Sequence, residues 1–481
     1  MLTTTDMDRK ENAIANSIEL DRRELKETIA PSKYLSNNEM LIRDREIEEL
    51  KEVVCHGRCK SQGRVPLTIF AILLLAIGAL AAPATFAGNG NEQWVGTWSP
   101  ALHPPNLGPP GLTNPGFNNQ TLRQILYTSV GGEQVRVRLS TFGANALVIG
   151  AAHLALRDVG AAIVPESDRT LTFSGQPSIT IPPGALVVSD LVDLDVPAFG
   201  DLAVSIFVPG STGPATWHFV ALQTSYFSPP GDFTASSVMP VDSTTQAWFW
   251  LAGVEVIAPK QTGAIVTFGD SITDGPGSTP DTNNRWPDHL TRRLLSQLGN
   301  HKMGVLNQGI TGNRLLHDVL GPNGLARFDR DVLTQTGVTH VIVLLGNNDI
   351  TTGEVFPADF VTADQIIEGH RQLIRRAHAR GLKIYGGTLT PFEGFTFFGF
   401  TFSPTSSPST EAKRQVVNEW IRSSGEYDAV IDFDAVVRDP SFPTRLLPLY
   451  DSGDHLHPND LGYKAMGDAV DLALFKNGKG H

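Results

Sequence analysis

The chain has 481 residues, 41% of them hydrophobic and 18% charged, a composition that excludes a disordered protein and fits two or three globular domains. Its formal net charge of -12 argues against nucleic acid as a partner, because phosphate binding calls for basic surface. Its two cysteines, Cys55 and Cys59, leave no thiol beyond residue 60 for a disulfide framework or cysteine catalysis, and a Cys-x3-Cys pair with no second pair makes a poor metal site.

Residues 1–65 form a densely charged, helix-prone extension, as in the run Arg43–Glu52. Residues 66–87 carry a nearly unbroken apolar stretch, Leu67 to Ala82, behind Arg58, Lys60 and Arg64 and ahead of Ala82-Pro83-Ala84 and Thr85-Phe86-Ala87. A basic flank, an apolar stretch and a small-residue cleavage site make a secretory signal, which predicts a secreted, extracellular protein. The alternative is an N-terminal membrane anchor with the following chain outside, for which the stretch is short against the ~17 residues of a minimal span. A signal normally opens a chain, so the reading expects the true start nearer the apolar stretch and residues 1–65 to be a misassigned extension.

Residues 88–258 read as a β-rich, sandwich-like domain. Gly88 to Pro115 is a loop entry rich in Gly, Pro and Asn that encloses a short strand at Trp94–Trp98. Leu122 to Val130, then Gly131-Gly132, then Val135 to Leu139 predicts a hairpin, and Gln134–Ser140 alternates polar with apolar. Further strands are expected at 146–156, 170–173, 186–196, 202–208, 215–220 and 247–257, separated by turns such as Pro182-Pro183-Gly184.

From residue 259 to 481 the grammar changes. Strands expected at Ala264–Phe268, Met303–Asn307, His340–Leu345, Lys383–Leu389 and Ala429–Asp432 alternate with helices at Trp286–Leu298, Ala363–Ala379, Thr410–Ser423 and Leu461–Leu474. That alternation predicts an α/β domain with a parallel sheet, whose chemistry gathers at the carboxyl ends of the strands.

Three of those ends carry reactive residues. The turn Gly269-Asp270-Ser271-Ile272-Thr273-Asp274-Gly275 follows the first strand, Asn307-Gln308-Gly309-Ile310-Thr311-Gly312-Asn313 the second, and Gly346-Asn347-Asn348-Asp349 the third. Asp454-His455-Leu456-His457-Pro458 precedes the last helix. A serine hydroxyl needs a base, and histidine with an orienting carboxylate is the usual one. Asp454 and His457, three apart, can turn to one side of a loop; His455 adjoins Asp454 and is poorly aimed. The backbone N–H groups of Ser271 and Gly312 and the side-chain amide of Asn348 are candidate oxyanion donors. Asp274 and Asp349 read as loop-holding residues, and Asp432 with Asp434 lacks the further ligands a metal needs.

Gly-Asp-Ser, the Asn-x-Gly-x-x-Gly that ends at Gly312, Gly-x-Asn-Asp and Asp-x-x-His-Pro, in this order, resemble the four blocks of the SGNH (GDSL) hydrolases. The resemblance runs from about Gln261 to Phe475. It implies a flavodoxin-like three-layer α/β/α fold and ester hydrolysis without metal or cofactor. In its register Ser271 is the nucleophile, His457 the base, Asp454 its orienter, and Gly312 and Asn348, rather than Asn347, complete the oxyanion hole. Trp94-x-Gly-Thr-Trp98, Asn119–Arg123 and Trp250–Gly253 are similar to the β-part of secreted bacterial xylan-esterase-like members. The expected substrate is a small-molecule or polysaccharide ester, with short-chain or carbohydrate acetyl esters ahead of lipid esters. An acyltransferase using the same residues and a non-catalytic carbohydrate-binding surface protein are the competing readings. The aromatic stretch Phe392–Phe402 is either a core hairpin or an apolar flap over the site.

Overall fold

The computed structural model describes residues 91–476 apart from 109–111, 113, 144, 298–302, 398 and 403–407. The charged extension, both cysteines, the apolar stretch with its signal or anchor, and Gly88–Gly90 lie outside the described residues.

Period-two alternation builds the first half of the described chain. Its main strands are β1 (Glu92–Trp98), β2 (Gln120–Tyr127), β3 (Gly132–Ser140), β4 (Ala151–Leu156), β5 (Asp201–Val208), β6 (Ser225–Pro230) and β7 (Leu251–Pro259). They form two antiparallel sheets among the described residues. One runs β1-β7-β3, with Leu186–Val188 and Val192–Val196 both on β3; the other runs Ser243–Thr245, β6, β2, β5, β4, Arg169–Thr170. In β5, Leu202, Val204, Ile206 and Val208 enter the main core while Ala203 belongs to a second small cluster with Ile125, so this strand is covered on both faces.

The hairpin expected across Gly131-Gly132 does not form. β2 pairs with β5 and β6, whereas β3 pairs with β7, so the two strands belong to different sheets. The glycines carry the chain between them: a Cβ at Gly131 would lie 2.4 Å from the Val196 carbonyl oxygen, and one at Gly132 the same distance from that of Ile257. Ser129 and Val130 bond instead to Thr97 of β1.

The second half is built on five parallel strands: β8 (Gly263–Gly269), β9 (Met303–Gly309), β10 (Val338–Leu344), β11 (Lys383–Gly387) and β12 (Ala429–Ile431), in the order β9-β8-β10-β11-β12. Every residue of β8 is buried, as its unbroken apolar run requires of a central parallel strand. The order reverses at β8, and in such sheets ligands bind outside the carboxyl ends of the strands at the reversal. Six helices matter below: α1 (Ser271–Asp274), α2 (Trp286–Gln297), α3 (Asn347–Val355), α4 (Ala363–His378), α5 (Pro408–Ser423) and α6 (Asp460–Ala469). α4 opens on a reciprocal Thr362–Gln365 capping box and buries Ile366, Ile367, His370, Leu373, Ile374 and Ala377 on one face.

The described residues fall in one compact unit, and the antiparallel sheets and the parallel sheet share contacts. β1 runs against β9, the edge strand, at a glycine pair: a Cβ on Gly304 would stand 2.2 Å from the Gly96 carbonyl oxygen. The Val305 N–H, on the same edge, donates to Ser129 Oγ at 3.0 Å. The β-region thereby covers an edge that would otherwise offer unpaired backbone.

Candidate active site

Ser271 stands at the first position of α1, directly past β8, and is 4% exposed. Asp270 caps the turn, its Oδ1 accepting the Ile272 N–H at 3.1 Å, while its carbonyl accepts Thr273 and Asp274. Gly275, at φ 116°, ends the turn by donating its N–H to the Ser271 carbonyl at 2.8 Å. From outside, Asn307 Nδ2 donates to the Thr273 carbonyl at 2.8 Å, and the buried Arg327 donates to the carbonyls of Gly269 and Gln308, also at 2.8 Å. Burial pushes the Arg327 guanidinium down to about 10, yet it stays charged at neutral pH beside Asp331.

The partner loop brings His457 Nε2 to 2.8 Å from Ser271 Oγ, and His457 Nδ1 to 2.5 Å from Asp454 Oδ2. The other Asp454 oxygen accepts the N–H groups of Leu456 at 2.9 Å and His457 at 2.8 Å, so this carboxylate shapes the loop that it also charges. His455 turns away to pair with Asp451 at 2.6 Å and sits at φ 66°, an uncommon backbone for a side chain of its size. Its left-handed turn lets Asp454 and His457 face the same side.

Gly312 and Asn348 follow β9 and β10, the two neighbours of β8, and so flank the Ser271 turn. Gly312 adopts φ 76°, where a side chain is strained. Asn348 Nδ2 donates to the Asn313 carbonyl at 3.0 Å, tying α3 to the loop that carries Gly312. Asn347 points elsewhere, to Thr390. Asp349 accepts the N–H groups of Leu315 at 2.6 Å and Leu316 at 3.0 Å, and Asp274 accepts the Thr311 N–H at 2.8 Å, so both carboxylates hold this loop. Of the five residues that sequence reasoning named, Ser271, His457 and Asp454 form one hydrogen-bonded line, and Asn348 bonds to Asn313, the residue after Gly312.

The carboxylates diverge electrostatically. Full burial pushes Asp270 up to about 7 and Asp349 up to about 6, against the pull of the N–H groups they accept. Asp454, partly buried, is also pushed up by desolvation, but the His457 bond and charge and the backbone donors outweigh this and hold it well below the usual range. Among the described residues no group of three or more His, Cys, Asp or Glu is arranged for a metal ion. Asp432 and Asp434 are taken up by Arg422, Arg414 and Arg438.

Sequence reasoning missed two neighbours. Arg327 and His218 come from segments with no reactive pattern. Phe395 belongs to the aromatic stretch, which forms a hairpin pairing Thr396–Phe397 with Phe400–Thr401. Phe392 and Phe402 anchor it in the core, and Phe395 is half-buried with its ring 6.5 Å from the His457 ring, edge to face. Phe398 and residues 403–407 of this stretch lie outside the described residues.

No curated protein matches the chain. Solved structures similar to part of the chain include a GDSL-like lipase from Bacteroides thetaiotaomicron VPI-5482, at 19% identity over 44% of this chain and 88% of that one, TM-score 0.33. A lipase/acylhydrolase from Enterococcus faecalis matches at 21% identity over 43% and 92%, TM-score 0.33. A variant of an acetyl xylan esterase from Geobacillus stearothermophilus matches at 20% identity over 44% and 94%, TM-score 0.33. Residues 267–465, which contain Ser271, Gly312, Asn348, Asp454 and His457, match the GDSL-like Lipase/Acylhydrolase family, and the chain carries an enzyme of the GDSL esterase or lipase type.

Proposed function

We propose that this protein is a secreted serine ester hydrolase. In this reading residues 259–481 are a flavodoxin-like three-layer catalytic domain, residues 88–258 a β-sandwich-like domain before it, and residues 66–87 the secretory signal. The observation that carries the chemistry is the line Asp454–His457–Ser271, at 2.5 Å and 2.8 Å.

Ser271 Oγ attacks the ester carbonyl as its proton passes to His457 Nε2, and Asp454 stabilises the imidazolium through Nδ1. The N–H groups of Ser271 and Gly312 and the Asn348 amide receive the oxyanion. The tetrahedral intermediate collapses, His457 returns its proton to the departing alcohol, and an acyl-enzyme remains. Water, giving a proton to His457, then attacks the acyl carbonyl, and the acid leaves as Ser271 recovers its proton. The near-complete burial of Ser271 and the Phe395 ring beside His457 favour a compact acyl group, so short-chain and carbohydrate acetyl esters stand ahead of lipid esters.

Ser271→Ala is expected to cut hydrolysis of p-nitrophenyl acetate by at least ~10⁴-fold and abolish fluorophosphonate labelling, with the melting temperature unchanged. A folded variant within about tenfold of wild type overturns the reading. Acyl chains of graded length, assayed beside acetyl-xylan, test the substrate class, and N-terminal sequencing of the exported protein tests the signal.

A further inference from the structure

The β-region reaches the Ser271 turn through one side chain. His218, in the short strand Trp217–His218, is 2% exposed, and both of its ring nitrogens face acceptors. Nδ1 lies 2.8 Å from the Ala101 carbonyl; Nε2 lies 3.0 Å from the Val220 carbonyl and 3.0 Å from Asp274 Oδ1. Carbonyl oxygens accept and do not donate, so both nitrogens carry hydrogen and the ring is an imidazolium. The second Asp274 oxygen accepts the Thr311 N–H at 2.8 Å and the Thr311 hydroxyl at 2.7 Å. Asp274 is therefore bonded on one side to the loop that carries Gly312, while its own N–H bonds back to the Asp270 carbonyl at 2.9 Å within the Ser271 turn.

We propose that His218 is a positioning residue for the ester hydrolysis proposed above, fixing the carboxylate that clamps the Thr311–Gly312 loop to the Ser271 turn. The inference rests on that reading of Ser271. Oxyanion donors act only when held where the charge develops, and a displacement of about 1 Å costs on the order of 100-fold in rate. Without His218 the Asp274 oxygen that faces it loses its hydrogen-bond donor, and the clamp is free to turn.

The surroundings agree. Burial pushes His218 down, but the Asp274 carboxylate more than offsets this and raises it. His103 lies nearby, its ring tilted by 47° and 5.6 Å away, and burial together with the His218 charge drives it well below its ordinary value, so it is neutral. Arg285 and Asp288, paired at 2.7 Å, line with His218 and Asp274 a cavity of about 20 Å³, room for one water. Buried Tyr463, pushed up by burial and by Asp274, stays neutral.

His218→Gln keeps a donor toward Asp274 but loses the charge and the second anchor at Ala101. For p-nitrophenyl acetate the expected result is a kcat lower by about tenfold or more with KM within about threefold. Binding of a trifluoromethyl ketone, whose serine adduct carries the oxyanion, is expected to weaken in parallel with kcat/KM. In an Asp274→Asn background the same substitution is expected to cost less than about twofold, because His218 acts through that carboxylate. A folded His218→Gln protein with kcat within twofold of wild type, or a full additive loss in the Asp274→Asn background, overturns the proposal. If His218→Gln does not fold, the Ser271→Ala protein labelled with ¹⁵N-histidine carries the test: the His218 ring is expected to keep both nitrogens protonated above the pH at which an ordinary histidine loses its proton, and titration at or below that pH overturns the proposal. An active Ser271→Ala protein would instead remove the hydrolase reading itself, whereas an inactive Ser271→Ala beside a fully active His218→Gln removes only the role of His218.

Discussion

The Ser271 turn and the Asp451–Pro458 loop meet at one hydrogen bond and are built by opposite means. Asp270 through Asp274 are all buried, and the turn is held from outside by Asn307, Arg327 and, across the β-region, His218. The loop is exposed at residues 452–455, with 43% of the Asp454 side chain and 55% of the His455 side chain in solvent, and it holds itself. Asp451 accepts the N–H groups of Gly453 and His455, and Asp454 those of Leu456 and His457. Burial fixes the proposed nucleophile at the expense of charge, so the carboxylate there rises to about 7; self-bonding fixes the proposed base while leaving its carboxylate charged.

The contrast is sharpest when the loop loses its charge. Asp454→Asn keeps the shape and an acceptor for the backbone N–H groups but offers His457 Nδ1 no carboxylate. The expected loss in kcat is about 10³- to 10⁴-fold with little change in melting temperature, because the loop is exposed and its backbone bonds survive. Acid alone does not reproduce this variant near neutral pH, since Asp454 stays ionised well below the usual carboxylate range. A loss under about tenfold in steady-state assays would mean that the loop positions His457 without needing its charge.

Asn348→Ala asks about the flank of the buried turn. The side chain binds the Asn313 carbonyl and is the proposed oxyanion donor. Removing it is expected to lower kcat by about 10²- to 10³-fold with KM nearly unchanged. A rise in KM at constant kcat would assign Asn348 to substrate binding in the ground state.

Much of this arrangement was legible because strand ends carry chemistry in a parallel sheet. Ser271, Gly312 and Asn348 each follow an apolar run, and Asp454 and His457 share a loop at a spacing of three. What escaped was long-range. His218 lies in a strand whose alternation is unremarkable, and its partner is 56 residues away. Gly131-Gly132 carries the signature of a reversal, but the same residues serve a crossing between sheets where backbone packs on backbone. The expected helices leave out the segment after β10, where Thr351, Thr352 and Gly353 are weak helix formers; α3 forms there because it buries Asp349, Ile350 and Thr351.

The smallest expected effect separates the two carboxylates by pH. Asp270 titrates near 7 in the fold and near 3.9 in an unfolded chain. Between those values the native state holds a proton that the unfolded state has lost, so this group makes stability fall as pH rises from about 4 to 7. The slope from one proton is at most about 1.36 kcal/mol per pH unit. Asp454 has the opposite sign: its folded value is depressed, so its contribution is present above about pH 4 and is lost as pH falls through the folded value. Asn at 270 retains an oxygen to cap the Ile272 N–H but cannot ionise. Urea unfolding from about pH 4.5 to 7 should show Asp270→Asn gaining on wild type as pH rises, whereas Asp454→Asn should run parallel to wild type across the same window, well above where Asp454 titrates. Parallel curves for Asp270→Asn would show that water or His457 stabilises the charged carboxylate, and that the Ser271 turn is less sealed than its burial implies.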